Sequence, residues 1–229
     1  MEPSLNLYGD QRTPTPSGHG VDIASQRVDE LDEAALSQIR TLYAATNRTP
    51  IVFDLGCGFG AHSARMAEAG AMVWAFDLDG NREEVMARAA AVGMASRVSF
   101  SQMDIRKGLA PIHMKVDVIY SQRTLHYLRF KEAVGVLQTL QKKGNGEKWV
   151  FLSVSGIASE LGQGYEHAQV ACEDRYAPLA PSMVEKHAIH GPVCLYSIED
   201  MNQLLSCAGF TPVRVYASPF GNIKAIAKR

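Results

Sequence analysis

The sequence has little cysteine, no long apolar run and no excess of either charge. Its four cysteines among 229 residues, Cys57, Cys172, Cys194 and Cys207, include no C-x-x-C pair. This spacing offers neither a disulfide framework nor a zinc knuckle, and it reads as free thiols in a reducing cytosol. No stretch reaches the roughly 18 consecutive apolar residues of a membrane helix. The N-terminus is polar and proline-bearing where a signal peptide needs an apolar core. A soluble, cytoplasmic chain is expected, without a membrane partner. Lysine and arginine total 23 against 24 acids, a net charge of −1. The global basic excess of a nucleic-acid binder is missing, which argues against that partner. What is present is 46% hydrophobic residues, enough for a chain of this length to bury roughly 70% of its unfolded surface.

Residues 1–28 carry three prolines with scattered glycines and serines and no sustained period. They read as an N-terminal arm that gains order by packing on something else. From residue 29 the apolar positions Leu31, Ala34, Leu36, Ile39, Leu42 and Tyr43 follow helical spacing, with acids early as the helix dipole prefers. An alternation follows. Strands are expected at 49–55, 71–78, 98–103, 116–121 and 149–154, with helices at 62–68, 82–92 and 130–142. Strands interleaved with helices call for a parallel sheet covered on both faces. The pattern breaks at about 156–195, a proline- and histidine-bearing stretch that reads as an inserted cap. Ser197 and Asp200 then stand in capping-box spacing before a helix stopped by Gly209. Segments 211–217 and 222–227 close the chain as a hairpin. The expected domain is therefore 29–229, α/β and doubly wound, with a mostly parallel seven-stranded sheet and an antiparallel C-terminal hairpin.

The chemistry concentrates at strand ends. After the first strand comes Asp54-Leu55-Gly56-Cys57-Gly58-Phe59-Gly60. Glycines there let the chain turn sharply and bring backbone N–H groups to a ligand at a helix start. A dinucleotide G-x-G-x-x-G fingerprint begun at Gly56 meets Ala61 at its third position. Asp54 would repel a pyrophosphate and suits a ligand with an ammonium or sulfonium charge. The second strand ends in Asp77-Leu78-Asp79, placing a carboxylate about twenty residues beyond the turn, where ribose hydroxyls need an acceptor. Asp79 could instead cap the next helix. The third strand ends in Met103-Asp104. The fourth runs Val116-Asp117-Val118-Ile119-Tyr120-Ser121 and opens into Gln122-Arg123-Thr124-Leu125-His126-Tyr127-Leu128.

The acid followed by G-x-G-x-G resembles motif I of the class I S-adenosylmethionine-dependent methyltransferases, a Rossmann-like family. The fourth strand resembles its D-V-I-x-S-x-x-x-L-H-H-L segment, with Tyr127 for the second histidine. The resemblance covers about residues 30–155 by motif and 196–229 by the closing helix and hairpin. It implies S-adenosyl-L-methionine as cofactor, with S-adenosyl-L-homocysteine as product. It also implies a pocket made by Asp54, Gly56, Cys57, Gly58, Gly60, Asp77, Leu78, Met103, Asp104, Ser121 and Gln122. Asp77 would accept the ribose hydroxyls, Asp104 the adenine amine, and Ser121 and Gln122 would lie beneath the methionine part. The strand end lacks the Asn/Asp-Pro-Pro-aromatic signature of enzymes that methylate exocyclic base amines.

Methyl transfer to oxygen, nitrogen or sulfur of a small-molecule acceptor is expected, because the insertion reads as a lid over an enclosed site. His126, Tyr127 and His187 are the candidate catalytic residues, histidine because its ordinary pKa of about 6.5 lies near working pH. Tyr165, Tyr176 and His190 could overhang the same site. Tyr8, Arg12 and Arg27 of the arm, or Arg123, could meet the methionine carboxylate. No metal is expected: His167, Cys172, His187, His190 and Cys194 show no ligand spacing of a known kind. Alternatives are a protein or RNA acceptor held by Arg106, Lys107, Lys142, Lys143 and Lys148, or a sensor that binds the cofactor without turnover.

Overall fold

Along the first strand apolar side chains alternate between two faces, and each face has its own layer of helices. The computed structural model describes residues 13–21, 27–46, 48–109, 113–144 and 146–229. The chain runs α1 (Glu30–Thr46), β1 (Ile51–Leu55), α2 (Ala61–Glu68), β2 (Met72–Asp77), α3 (Arg82–Ala91), β3 (Val98–Gln102) and α4 (Ile105–Gly108). It continues with β4 (Val118–Gln122), α5 (Phe130–Gln141), β5 (Trp149–Val154), α6 (Pro181–His187), α7 (Ile198–Cys207), β6 (Thr211–Ala217) and β7 (Ile223–Lys228). The strand order is β3-β2-β1-β4-β5-β7-β6. The first five strands are parallel, β7 runs antiparallel to β5, and β6 runs antiparallel to β7. This is the Rossmann-like, doubly wound seven-stranded sheet with a C-terminal hairpin that the pattern predicts.

Phe53 and Leu55 of β1 pack with Leu137 of α5 and Leu204 of α7 on one face. Val52, one residue before Phe53, packs with Leu31, Met66 and Val85 of α1, α2 and α3 on the other. Each such side chain, fully buried, contributes about 1.5–3 kcal/mol of transfer free energy. Asp117 fastens the start of β4. Its carboxylate accepts from Arg48 at 2.7 and 2.6 Å and from the Ile51 N–H at 2.9 Å. Burial raises its pKa but the guanidinium hydrogen bonds outweigh that, and the net shift is downward.

The stretch at about 156–195, where the sequence pattern breaks, has a core of its own. Leu161, Tyr165, Leu179, Met183, Ile189, Val193 and Leu195 form a buried cluster of their own. Met183 comes from α6 and Leu161 from a short 3-10 helix, the others come from irregular segments and isolated bridges, and no shared period announces them. Arg175 fixes the cap to α7. Its guanidinium donates to the carbonyls of Val170 and Leu195 and pairs with Asp200 at 2.5 Å. Asp200 also closes the expected capping box with Ser197.

Candidate active site

The strand order reverses between β1 and β4, and at such a switch point the loops at the carboxyl ends of the strands part to leave a crevice. The turn after β1 lies there. Its backbone donors are already committed: the N–H groups of Gly56 and Cys57 donate to the Phe76 carbonyl at 2.8 and 3.0 Å. The Gly58 N–H donates to Asp77 Oδ2 at 2.8 Å. Backbone N–H groups of the turn are expected from the sequence to face a ligand; those of Gly56, Cys57 and Gly58 instead join the turn to β2. The turn offers its lack of side chains instead. Gly56 sits at φ +73°, and an added Cβ would come within 2.0 Å of Thr124 Oγ1. Gly60 starts α2 against Val85, and Cys57 is buried. Asp54 is 1% exposed and accepts from Ser63 Oγ at 2.5 Å, on the α2 side of the sheet.

Beyond the turn lies a cavity of about 310 Å³, within the range of about 300–1,000 Å³ common to small-molecule sites. Seven of the expected cofactor residues line it: Gly56, Gly58, Asp77, Leu78, Met103, Asp104 and Gln122. Asp54, Cys57, Gly60 and Ser121 stand outside the lining. Ser121 donates to the Leu55 carbonyl at 3.0 Å and ties β4 to β1. Asp77 Oδ1 accepts the Asp79 N–H at 2.9 Å. Burial pushes the Asp77 carboxyl above its ordinary value, against the pull of these N–H donors. Asp104 caps α4 and pairs with Arg106 at 2.8 Å, which holds its carboxyl below the usual range. The Gln122 amide donates to Asp32 at 2.9 Å, in a buried group that also includes Tyr120 and His62. Nothing in the sequence marks Asp32 for that role.

The opposite wall comes from the turn after β4, the cap and the arm. Tyr127, Leu128, Tyr176, His187 and Ile189 line it. The Tyr176 hydroxyl donates to the Tyr127 carbonyl at 3.0 Å. His187 Nε2 lies 3.2 Å from a Glu160 carboxylate oxygen. Burial raises the Tyr127 phenol to about 12. His126 is placed differently: it is 0% exposed, outside the cavity lining, with neither ring nitrogen hydrogen-bonded. Burial, then Arg123 and His19, hold its pKa well below the usual value, so the ring is neutral.

Arm residues absent from the expected set also line the cavity: Thr15, Ser17, His19, Gly20 and Val21. Ser17 Oγ donates to Asp79 Oδ2 at 2.9 Å. Asp79 therefore receives the arm, and α3 is preceded instead by Asn81. The Tyr127 hydroxyl donates to the His19 carbonyl at 2.5 Å. Backbone bonds join Gly20 to Ala188 and His190 to Gly18. The Gly18-His19-Gly20 triplet was the available signal, since a glycine-flanked side chain can approach a wall closely. Gly20 sits at φ +88°, and a Cβ there would meet Tyr127 Oη at 2.9 Å. Tyr8 and Arg12 lie outside the described residues. Arg27 is exposed and away from the cavity, whereas Arg123 lines it at φ +59°.

Residues 52–143, from β1 through α5, match the family model of a methyltransferase domain. Over those residues the chain is similar to a methyltransferase domain. No curated protein matches it. The solved structures that share this methyltransferase fold include magnesium protoporphyrin IX methyltransferase of Synechocystis PCC 6803, with bound S-adenosylhomocysteine. It is 18% identical at a TM-score of 0.58, over 88% of this chain and 87% of that one. A second is 1,6-didemethyltoxoflavin-N1-methyltransferase of Burkholderia thailandensis, with bound 1,6-didemethyltoxoflavin and S-adenosylhomocysteine. It is 20% identical at a TM-score of 0.58, over 86% of this chain and 79% of that one. A Nostoc punctiforme PCC 73102 protein, provisionally named an O-methyltransferase, gives a TM-score of 0.60 at 16% identity over 87% of this chain. This chain spans only 56% of that protein's length.

Proposed function

We propose that this chain transfers the methyl group of S-adenosylmethionine to oxygen, nitrogen or sulfur of a small-molecule acceptor enclosed beneath the arm and cap. The observation that carries this reading is one cavity with two unlike walls. On one wall the side-chain-free turn at Gly56 and Gly58, the half-buried Asp77 carboxylate, Leu78, Met103 and Asp104 fit an adenosine. Asp77 has lone pairs beyond those given to Gly58 and Asp79 for two ribose hydroxyls. Asp104 could accept from the adenine amine, and Met103 and Leu78 could flank the ring. The N–H groups of Gly56, Cys57 and Gly58 are committed to β2 and are not offered to a pyrophosphate. The other wall offers Tyr127, Leu128, Tyr176 and Ile189, apolar surface with phenols that suits a ring-bearing acceptor.

When bound, the cofactor supplies an already activated methyl group on a sulfonium. The protein's task is alignment, exclusion of water and reception of a proton where the acceptor carries one. The arm serves exclusion by bridging Asp79, Tyr127 and the cap across the cavity. Two solved structures of this fold are named for small-molecule methylation, of protoporphyrin and of toxoflavin precursors, which favours an acceptor of that size. The basic surface needed for a macromolecular acceptor is weakened by burial: Lys148 is 1% and Lys143 9% exposed, and Lys148 Nζ donates to the Gly144 carbonyl at 2.9 Å. Among the described residues no helix is long and apolar enough to cross a membrane. Calorimetric titration with S-adenosylhomocysteine and with NAD tests the cofactor assignment. Saturable binding of the first and none of the second is expected, and the reverse overturns it.

A further inference from the structure

His19 presents one ring nitrogen to a hydrogen-bonded chain and leaves the other free. Its Nδ1 lies 2.7 Å from Ser17 Oγ, and Ser17 Oγ lies 2.9 Å from Asp79 Oδ2. The Asp79 carboxylate can only accept, so the single hydroxyl proton of Ser17 points to it. The Ser17 oxygen is then left to accept from Nδ1–H. In the neutral ring this fixes the tautomer: the proton is on Nδ1, and Nε2 carries a lone pair. Nε2 has no hydrogen-bond partner among the described residues. The ring lines the cavity and meets the Tyr127 ring edge-on at 4.8 Å.

The arm is held in place independently of the imidazole. The His19 carbonyl accepts from the Tyr127 hydroxyl, and Gly18 and Gly20 bond the cap on either side. A side chain delivered to a cavity wall in a defined tautomer, with its basic nitrogen free, has the arrangement a general base requires.

Resting on the methyl-transfer reading above, we propose that His19 Nε2 is the general base, oriented by Ser17 and Asp79, and that the acceptor is a phenol-class hydroxyl compound. The phenol oxygen attacks the methyl carbon and forms the O–C bond, while the C–S bonding pair returns to sulfur. The O–H proton passes to Nε2. Sulfonium, neutral phenol and neutral imidazole thus become thioether, methyl ether and imidazolium, with charge and atoms conserved. A hydroxyl of this class needs proton removal to become a strong nucleophile, and the aromatic wall of Tyr127 and Tyr176 suits its ring.

The charges around His19 set its pH behaviour. Burial lowers its pKa, Asp79 raises it and Arg106 lowers it, with a net downward shift. His126, behind Tyr127, feels the same ring, and Arg123 and His187 line the same cavity. The base form therefore persists at neutral pH, and the proton-loaded form appears only below about 6.5.

Nitrogen-15 NMR of the histidine side chains in the full chain tests the proposal without any acceptor, with His19→Gln identifying the His19 signals. At pH 7.5 the wild type is expected in the Nδ1–H tautomer with a midpoint below 6.5, and Ser17→Ala is expected to lose that tautomer preference. An Nε2–H tautomer in the wild type, or an unchanged tautomer in Ser17→Ala, overturns it. In turnover with S-adenosylmethionine and a panel of simple phenols, His19→Gln is expected to lose at least about 100-fold in kcat and the acidic limb of the rate profile. A wild-type rate in His19→Gln on any phenol that is methylated also overturns it. Titration of S-adenosylhomocysteine into the same NMR samples separates the two readings: no shift of any resonance removes the methyl-transfer reading, whatever the His19 tautomer.

Discussion

Asp77 and Gly58 hold each other: the carboxylate at the end of β2 accepts the backbone N–H of the turn after β1 at 2.8 Å. The acid is thereby set at the cavity wall by the glycine turn, and the turn is kept folded by the acid. Burial has raised the carboxyl's pKa, so a ligand that donates to it replaces lost hydration.

Asp77→Ala should weaken binding of S-adenosylhomocysteine by about 1–3 kcal/mol, the usual consequence of leaving buried hydrogen-bonding groups unmatched. Calorimetry on the folded variant reads this. Unchanged affinity would show that the ribose does not rest there.

Gly56→Ala should fail for two separable reasons, the strain of a Cβ at φ +73° and a clash with the Thr124 side chain at 2.0 Å. Thr124→Gly in the same chain should restore part of the lost stability, because it removes the clash and leaves the strain, a cost of order 1–3 kcal/mol. Urea unfolding of the single and double variants is the measurement. No recovery would mean that the clash is not what destabilises the variant.

The strand-turn-helix alternation, the capping box of Ser197 and Asp200 and the acids at three strand ends were legible because each is a local pattern. Periodicity finds β1 to β5 from one residue to the next, and glycine spacing finds the turn. What escaped rests on contacts distant in sequence. Ser17 meets Asp79 across 62 residues, and Tyr127 meets His19 across 108. His126 looked reactive because its neighbours in sequence lie near the site, yet its ring points into the protein. The cap's apolar cluster was hidden because its members come from short and irregular segments with no common period.

Arg175→Ala should destabilise the fold by about 3–5 kcal/mol, since it leaves Asp200 buried without its guanidinium. The pair is close to fully covered, at 8% and 11% side-chain exposure. Adding Asp200→Ala should cost less than the sum of the two single losses. Additive losses in chemical denaturation would contradict a direct pairing.

His126 should make the protein acid-sensitive. Its folded pKa lies well below 6.5 because of burial and the nearby Arg123 and His19. Below about pH 6.5 the unfolded chain therefore takes up a proton that the folded one refuses, and stability falls as pH falls. His126→Leu, of similar volume and with no polar atoms to strand, should equal or exceed the wild type at pH 5 and keep its affinity for S-adenosylhomocysteine. A steeper acid loss in the variant would contradict the buried, neutral imidazole.

The most direct measurement is a crystal structure of the chain with S-adenosylhomocysteine. The expected result is the sugar hydroxyls on Asp77, the purine between Leu78 and Met103 with its amine at Asp104, and the sulfur facing the space bounded by Tyr127 and His19. A ligand seated away from the turn at Gly56 and Gly58, or one leaving Asp77 turned to solvent, would contradict the account.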